Sequence, residues 1–322
     1  MIKLKSRIYK FILRYWPKIL KYFLGPLLLV ILFWTIGITQ IWALLTAADF
    51  TFFALAYLLF VLSTLITALN LYLLFYPLQK IEPKKFLQYF FASRITSLIL
   101  PGRFGEFSLS YYLHEENINL GQGLAAVVTD KLISVACSMV LALIAVYIFM
   151  NGQHIAIVAI YMVVMLLLFV LMLSSTSRKF IKRWILRKYS HHFAGFSKTL
   201  FSYERENKKM ALLNMLFSWI QIVVVALSTK MIFLSLGIEI SLLTLILVSG
   251  LETLSNSIPI TVNGLGVKQA IGVYVFSAIG VNPIITGARY LIGFVIEYSF
   301  GFFSTLFIRN DLFLGKMEEI GK

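Results

Sequence analysis

Residues 50–75, FTFFALAYLLFVLSTLITALNLYLLF, run without one charged side chain. A helix needs about 20 apolar residues to cross the hydrocarbon of a bilayer. In that solvent every backbone N–H and C=O must be paired internally, so only helices and closed barrels cross it. The run has the length of a helix and not of a strand. Comparable runs occupy 23–45, 124–150, 155–173, 210–234, 242–258 and 284–308. Hydrophobic residues fill 60% of the 322 positions and charged ones 13%, more apolar surface than a soluble chain of this size can hide. The expected fold class is all-α: a polytopic helical membrane protein with about seven or eight spans, forming one integral membrane domain over 1–322. The first run follows a cluster of cations and leads at once to further spans, so it reads as a retained helix and not as a cleaved leader.

The formal charge of +15 fits either a nucleic-acid surface or the cytoplasmic face of a membrane protein, and the positions of the cations decide. Lys3, Lys5, Arg7, Lys10, Arg14, Lys18 and Lys21 precede the first run, and Lys80, Lys84 and Lys85 follow the second. Ten more, from Arg178 to Lys209, fill the loop at 175–209. The intervening connections, near Asp49 and at 151–154, carry none. This alternation is the positive-inside pattern. It makes the N-terminus and the 175–209 loop cytoplasmic, and it removes nucleic acid as a partner. Within 178–209, Phe180, Trp184, Leu200 and Phe201 have helical spacing suited to the membrane interface, although a topology signal alone also accounts for the cations.

Little in the sequence suggests a cofactor. Cys137 stands alone inside an apolar run, so no disulfide forms within the chain. His114, His154, His191 and His192 lack ligand spacing, so no metal site is expected. There is no phosphate loop and no nucleophile elbow, and no stretch between the runs is long enough for a catalytic domain.

Two regions break the apolar pattern. In the first, residues 86–100 lead into Pro101-Gly102-Arg103-Phe104-Gly105-Glu106 and a short apolar piece. In the second, residues 257–269 include Pro259, Asn263, Gly264, Gly266, Lys268 and Gln269, before the short piece 270–279. Each region runs apolar helix, break, short helix, full span, which suggests a weak internal repeat with halves at about 23–150 and 210–308. Irregular backbone at membrane depth is tolerated only inside protein or beside a water-filled cavity, and paired broken helices point to a transport site. Half-helix N-termini present N–H donors to anions. Gly102, Gly105, Gly264 and Gly266 would let backbone approach such a group closely, or would simply make turns.

Charges within the runs weight the choice. Asp130, Lys131, Glu252, Arg289 and Glu297 lie in or near apolar segments, where a charge costs ~2.5–3.5 kcal/mol on insertion scales and is a functional candidate by default. Asp130 and Lys131 project ~100° apart on a helix and are expected to need separate partners. Glu106 is the candidate for Lys131 or Arg289, and Arg103 or Arg94 for Asp130. Lys230, near a span end, is expected to snorkel. Some of these pairs could serve only to hold helices together.

The PGRFGE motif, the Asp130-Lys131 span, and IPITVNGLGVKQ followed by Arg289 together resemble the lysylphosphatidylglycerol synthase transmembrane-region family over roughly residues 26–308. Pro101, Gly102, Arg103, Gly105 and Glu106 match its P-G-R-x-G-E form. Leu109 stands where an Arg is common, Ser134 replaces a later acid, and Gln269 replaces the terminal Glu of the second motif. The resemblance implies a membrane flippase domain acting on an anionic-headgroup lipid, either an aminoacylated phospholipid or a polyprenyl-phosphate-linked sugar. A membrane component of a polyprenyl-phosphate glycosyltransferase system is the alternative. Membrane lipids are the implied partners, with a separate synthase or glycosyltransferase as a further one. The site would comprise Gly102, Arg103, Gly105, Glu106, Asp130, Lys131, Asn263, Gly264, Gly266, Lys268 and Arg289, with Arg103 on a lipid phosphate. Span parity stays open. Seven crossings with two re-entrant hairpins put the C-terminus outside and make the two regions parallel, whereas one hairpin counted as a crossing puts it in the cytoplasm.

Overall fold

The computed structural model describes residues 26–99, 104–149, 194–256 and 265–308, with a few positions between 156 and 167. Among these residues all regular structure is helical. Helices α1 (Pro26–Ile36) and α2 (Ile38–Thr46) meet at an 83° bend. The bend falls on Gly37, whose φ of 111° a side chain would resist. Then follow α3 (Phe50–Phe75), α4 (Pro83–Ile99), α5 (Phe104–Tyr112), α6 (Leu120–Phe149), α7 (Phe196–Arg205), α8 (Lys208–Ser235), α9 (Leu242–Asn256), α10 (Val267–Ala278) and α11 (Pro283–Ser304). Local signals set several starts. The Thr51 N–H donates to Asp49 Oδ1 at 2.7 Å, and the Ile284 N–H donates to Asn282 Oδ1 at 2.9 Å ahead of Pro283 at the first helical position.

Helix α3 buries several polar side chains and turns leucines outward. Leu55, Leu58, Leu62, Leu65 and Leu69 form an exposed stripe at helical spacing, while Ser63, Thr64 and Asn70 are buried. Exposed Leu212, Leu216 and Ile220 do the same on α8, and Val295 and Phe302 on α11. A soluble protein does not present such stripes. Four helices, α3, α6, α8 and α11 with its 3₁₀ extension to Phe307, are long and apolar enough to cross a membrane, and the bent α1–α2 pair adds a fifth. This is a multi-pass membrane protein. Of the other runs expected to cross, 155–173 is largely outside the described residues.

The run 242–258 behaves differently from its expectation. α9 has 15 residues and is one arm of a returning pair. Leu245 and Val248 of α9 pack with Val275 and Phe276 of α10, and Ile240 and Ala278 line one recess with Phe149 at a single end of the bundle. α4 and α5 form a second returning pair. Lys85 Nζ lies 2.7 Å from Glu116 Oε1, and Tyr89 Oη donates to the same oxygen at 2.8 Å. Farther along, Ser93 Oγ donates to the Gly105 carbonyl at 3.2 Å. A Cβ on Gly105 would stand 2.2 Å from the Ser97 Cα, so the glycine lets α4 and α5 touch.

The pairs open at opposite ends. α3 and α8 lie antiparallel, joined by Asp49 N–H to Ser235 O (2.9 Å), Ser228 Oγ to Ala56 O (2.9 Å) and Gln221 Nε2 to Thr67 Oγ1 (2.8 Å). The end of the bundle holding Phe75, Ile81 and Phe86 also holds Phe300 and Ile308. There α7 docks through the Tyr203 hydroxyl on the Leu74 carbonyl. Lys80, Lys84, Lys198, Arg205, Lys208 and Lys209 are exposed on these segments. The α4/α5 pair starts and finishes at this basic end, and the α9/α10 pair at the other. At that other end Lys230 reaches Glu239 at 3.6 Å. α11 therefore runs opposite to α6 and brings Ile308 to the basic end. The parallel arrangement implied by seven crossings does not hold, because 242–256 returns instead of crossing.

Candidate functional site

Two polar cavities lie side by side in the interior, about 200 Å³ and about 140 Å³. Thr67, Arg94, Gln221 and Val225 line both, so the Gln221–Thr67 hydrogen bond sits at their boundary. Each cavity holds an ion pair beside one returning helix pair.

In the smaller cavity, Lys131 Nζ lies 2.7 Å from Glu106 Oε2 and 3.2 Å from Asp130 Oδ2. Glu106 is in the first turn of α5, where its charge complements the helix dipole. Of the two cations offered to Glu106 by the sequence, Lys131 is the one it pairs with. The expectation that Asp130 and Lys131 could not meet is corrected. The flexible four-carbon stem of Lys swings its ammonium back to its neighbour. Asp130 is 3% exposed, and its other oxygen accepts from Asn70 Nδ2 (3.3 Å) and Asn214 Nδ2 (3.0 Å). Arg94, expected as a partner for Asp130, has no hydrogen bond or ion pair among the described residues. Arg103 lies outside them, as do Gly102, Asn263 and Gly264.

In the larger cavity, Arg289 grips Glu252 with both guanidinium arms, Nη1 to Oε1 at 3.0 Å and Nη2 to Oε2 at 3.1 Å. Tyr290 Oη donates to Glu252 Oε1 at 2.5 Å, a charge-assisted length. Gly272 of α10 makes this possible, since a Cβ there would fall 1.5 Å from Tyr290 Oη. The guanidinium also sits 4.3 Å from the Tyr290 ring centre. Glu297 and Lys268 line the same cavity. Gly266 adopts φ 83°, which favours glycine, and its N–H donates to Gln269 Oε1 at 2.7 Å. Gln269, read as the neutral stand-in for an acid, thus caps α10.

The structure brings Glu106, Asp130 and Lys131 together, and separately Lys268 and Arg289. Gly105 sits at the α4–α5 contact. Sequence reasoning missed Asn70, Asn214, Ser218, Gln221, Thr229 and Tyr290. Asn70, Asn214 and Gln221 carried a signal, an amide inside an apolar run; Tyr290 carried none. Among the described residues, no group of three or more His, Cys, Asp or Glu side chains could hold a metal ion.

No curated protein and no solved structure matches the chain. The family model described as "Lysylphosphatidylglycerol synthase TM region" matches residues 18–304, the greater part of the chain, and the protein belongs to that family.

Proposed function

We propose that the protein is a flippase that moves an anionic-headgroup lipid across the cytoplasmic membrane, and not an enzyme. The lipid is an aminoacylated phospholipid or a polyprenyl-phosphate-linked sugar, supplied by a separate synthase or glycosyltransferase. The observation that carries this reading is Arg94. It is a half-buried cation with no hydrogen bond or ion pair among the described residues, at the boundary of two polar cavities, and a cation in such a place is an anion receptor in waiting. The family, a membrane domain tied to lipid modification or transport, supports the substrate class. Arg103, Gly102, Asn263 and Gly264 are assigned to the same pathway on their motifs.

The helix directions support an inverted repeat, α4–α5–α6 against α9–α10–α11, with a returning pair from each side and ion pairs near their inner ends. Counting each returning pair as one segment, and the run 155–173 as the further crossing expected from the sequence, gives about eight membrane segments. Purified protein in liposomes with a fluorescent aminoacylated phospholipid or polyprenyl-phosphate sugar should raise the rate of transbilayer exchange above protein-free vesicles. Exchange at the protein-free rate for both lipids would refute the flippase reading.

The basic end faces the cytoplasm in this scheme. Cys137 is buried, so introduced thiols report cleanly. In intact cells Glu239→Cys, at the opposite end, should react with an impermeant maleimide, and Lys198→Cys should react only after permeabilisation. The reverse pattern would invert the orientation.

A further inference from the structure

The smaller cavity is walled by hydroxyls in a repeated pattern. Ser93 and Ser97 of α4, Ser134 and Ser138 of α6, and Ser249 and Thr253 of α9 all line it. The members of each pair stand one helical turn apart and so share a face. The second hydroxyl of each pair donates back to the carbonyl of the first: Ser97 to Ser93 O at 2.9 Å, Ser138 to Ser134 O at 2.9 Å and Thr253 to Ser249 O at 2.8 Å. Ser93 donates across to the Gly105 carbonyl at 3.2 Å, and Ser249 to the Ile246 carbonyl at 2.6 Å. A carbonyl only accepts, so each of these hydroxyls has spent its single hydrogen on backbone and keeps lone pairs for anything else. The same wall holds two carboxylates, Glu106 and Asp130, against two cations, Arg94 and Lys131. One back-bonding pair is ordinary in a helix; three pairs from three helices around one cavity make a surface of acceptors.

We propose that this cavity takes a polyhydroxylated headgroup, a sugar or other polyol esterified to the lipid phosphate. The proposal rests on the reading of Arg94 as the receptor of that phosphate. Arg94 lines both cavities, so a phosphate on it lets the rest of the headgroup extend into the smaller one. A polyol brings several neutral O–H donors at once, the complement of a wall of lone pairs. An ammonium headgroup is the poorer fit, because the carboxylates that would draw it are engaged. Lys131 Nζ already holds Glu106 and Asp130, and the other Asp130 oxygen accepts from two amides. An amine would have to displace one ammonium with another, against the charge of Arg94. Between a phosphate-linked sugar and an aminoacylated phospholipid, the lining selects the sugar, and it extends the class to phospholipids with a polyol headgroup.

The test is the melting temperature of the full chain in detergent, titrated with soluble headgroups: glucosyl phosphate, glycerol phosphate, phosphoethanolamine and inorganic phosphate. A polyol phosphate should raise Tm saturably, at a concentration roughly tenfold below that needed by phosphoethanolamine or inorganic phosphate. Whichever of glucosyl phosphate and glycerol phosphate protects better tells a sugar from a shorter polyol. Ser97→Ala and Ser249→Ala should each raise the half-saturating concentration of that polyol phosphate by roughly three- to tenfold and leave that of inorganic phosphate unchanged. Hydroxyls that only steady their own helices would lower Tm without ligand and leave every half-saturating concentration alone. Inorganic phosphate or phosphoethanolamine acting as tightly as both polyol phosphates would overturn the proposal. So would no response to any of the four, or a polyol response that both serine variants leave unchanged. Liposome exchange, scored separately, decides the flippase reading: a protein that moves lipid yet prefers neither polyol phosphate loses this inference alone.

Discussion

Glu252→Leu should leave a protein about 3–5 kcal/mol less stable than its parent, the usual cost of stripping one partner from a buried ion pair. The cause is what remains. Arg289 is 7% exposed, its Nε has no hydrogen-bond partner among the described residues, and without Glu252 it keeps only neutral partners there, Thr229 Oγ1 at 3.4 Å and the Tyr290 hydroxyl. Lys268, which also attracts the Glu252 carboxylate, would lose that anion too. Arg289→Leu should cost less, because Glu252 keeps the Tyr290 hydroxyl and the attraction of Lys268. The double variant Glu252→Leu/Arg289→Leu should recover much of the loss, since replacing a whole buried pair by apolar groups is often neutral. Denaturation in detergent micelles checks the order: Glu252→Leu worst, Arg289→Leu next, the double variant mildest. Equal, additive losses would mean that the two side chains do not act as a pair. Liposome exchange adds a second reading. A stable double variant that no longer moves lipid would assign the pair to the pathway, whereas one that moves lipid normally would leave it as a fastening between α9 and α11.

How much of this was legible beforehand follows from the physics of each feature. Crossing helices are announced by apolar runs, because hydrocarbon tolerates little else, and α3, α6, α8 and α11 fall within a few residues of their runs. The returning pairs were legible as breaks at Pro101–Gly105 and Pro259–Gly266. Their directions were not, because a 15-residue apolar helix such as α9 has the composition of a crossing one. Direction became visible only through contacts, Ile240 and Ala278 at one end and Lys85 with Glu116 at the other. Glu106–Lys131 could be proposed from charge alone. Lys131–Asp130 could not, since helical projection treats a side chain as a spoke and ignores the reach of Lys. The roles of Gly105 and Gly272 were equally hidden. A glycine that admits a neighbouring helix or a Tyr hydroxyl looks in sequence like one that admits a ligand.

Arg94→Ala should cut apparent lipid affinity by about ten- to a hundredfold, the equivalent of losing one charge-assisted contact of roughly 1.5–3 kcal/mol. Stability should barely move. The side chain has no hydrogen bond or ion pair among the described residues to forfeit, and substitutions that break nothing usually stay within about 0.5 kcal/mol. That combination separates Arg94 from Glu252 and Arg289, whose variants carry a folding cost first. Arg94→Lys should recover only part of the affinity, because Lys keeps the charge but loses the planar fork that meets two phosphate oxygens at once. Arg103, proposed for the lipid phosphate on its motif, gives a further comparison. If the two arginines hold the same phosphate, the Arg94→Ala/Arg103→Ala double variant should lose less than the sum of the single losses, as residues sharing one partner do. Simple additivity would put them at separate stations along the path. Exchange assays across a lipid titration, run beside melting curves for the same preparations, supply every number needed. Unimpaired transport in a well-folded Arg94→Ala protein would remove Arg94 from the pathway, and with it the observation on which the anionic-headgroup reading chiefly stands.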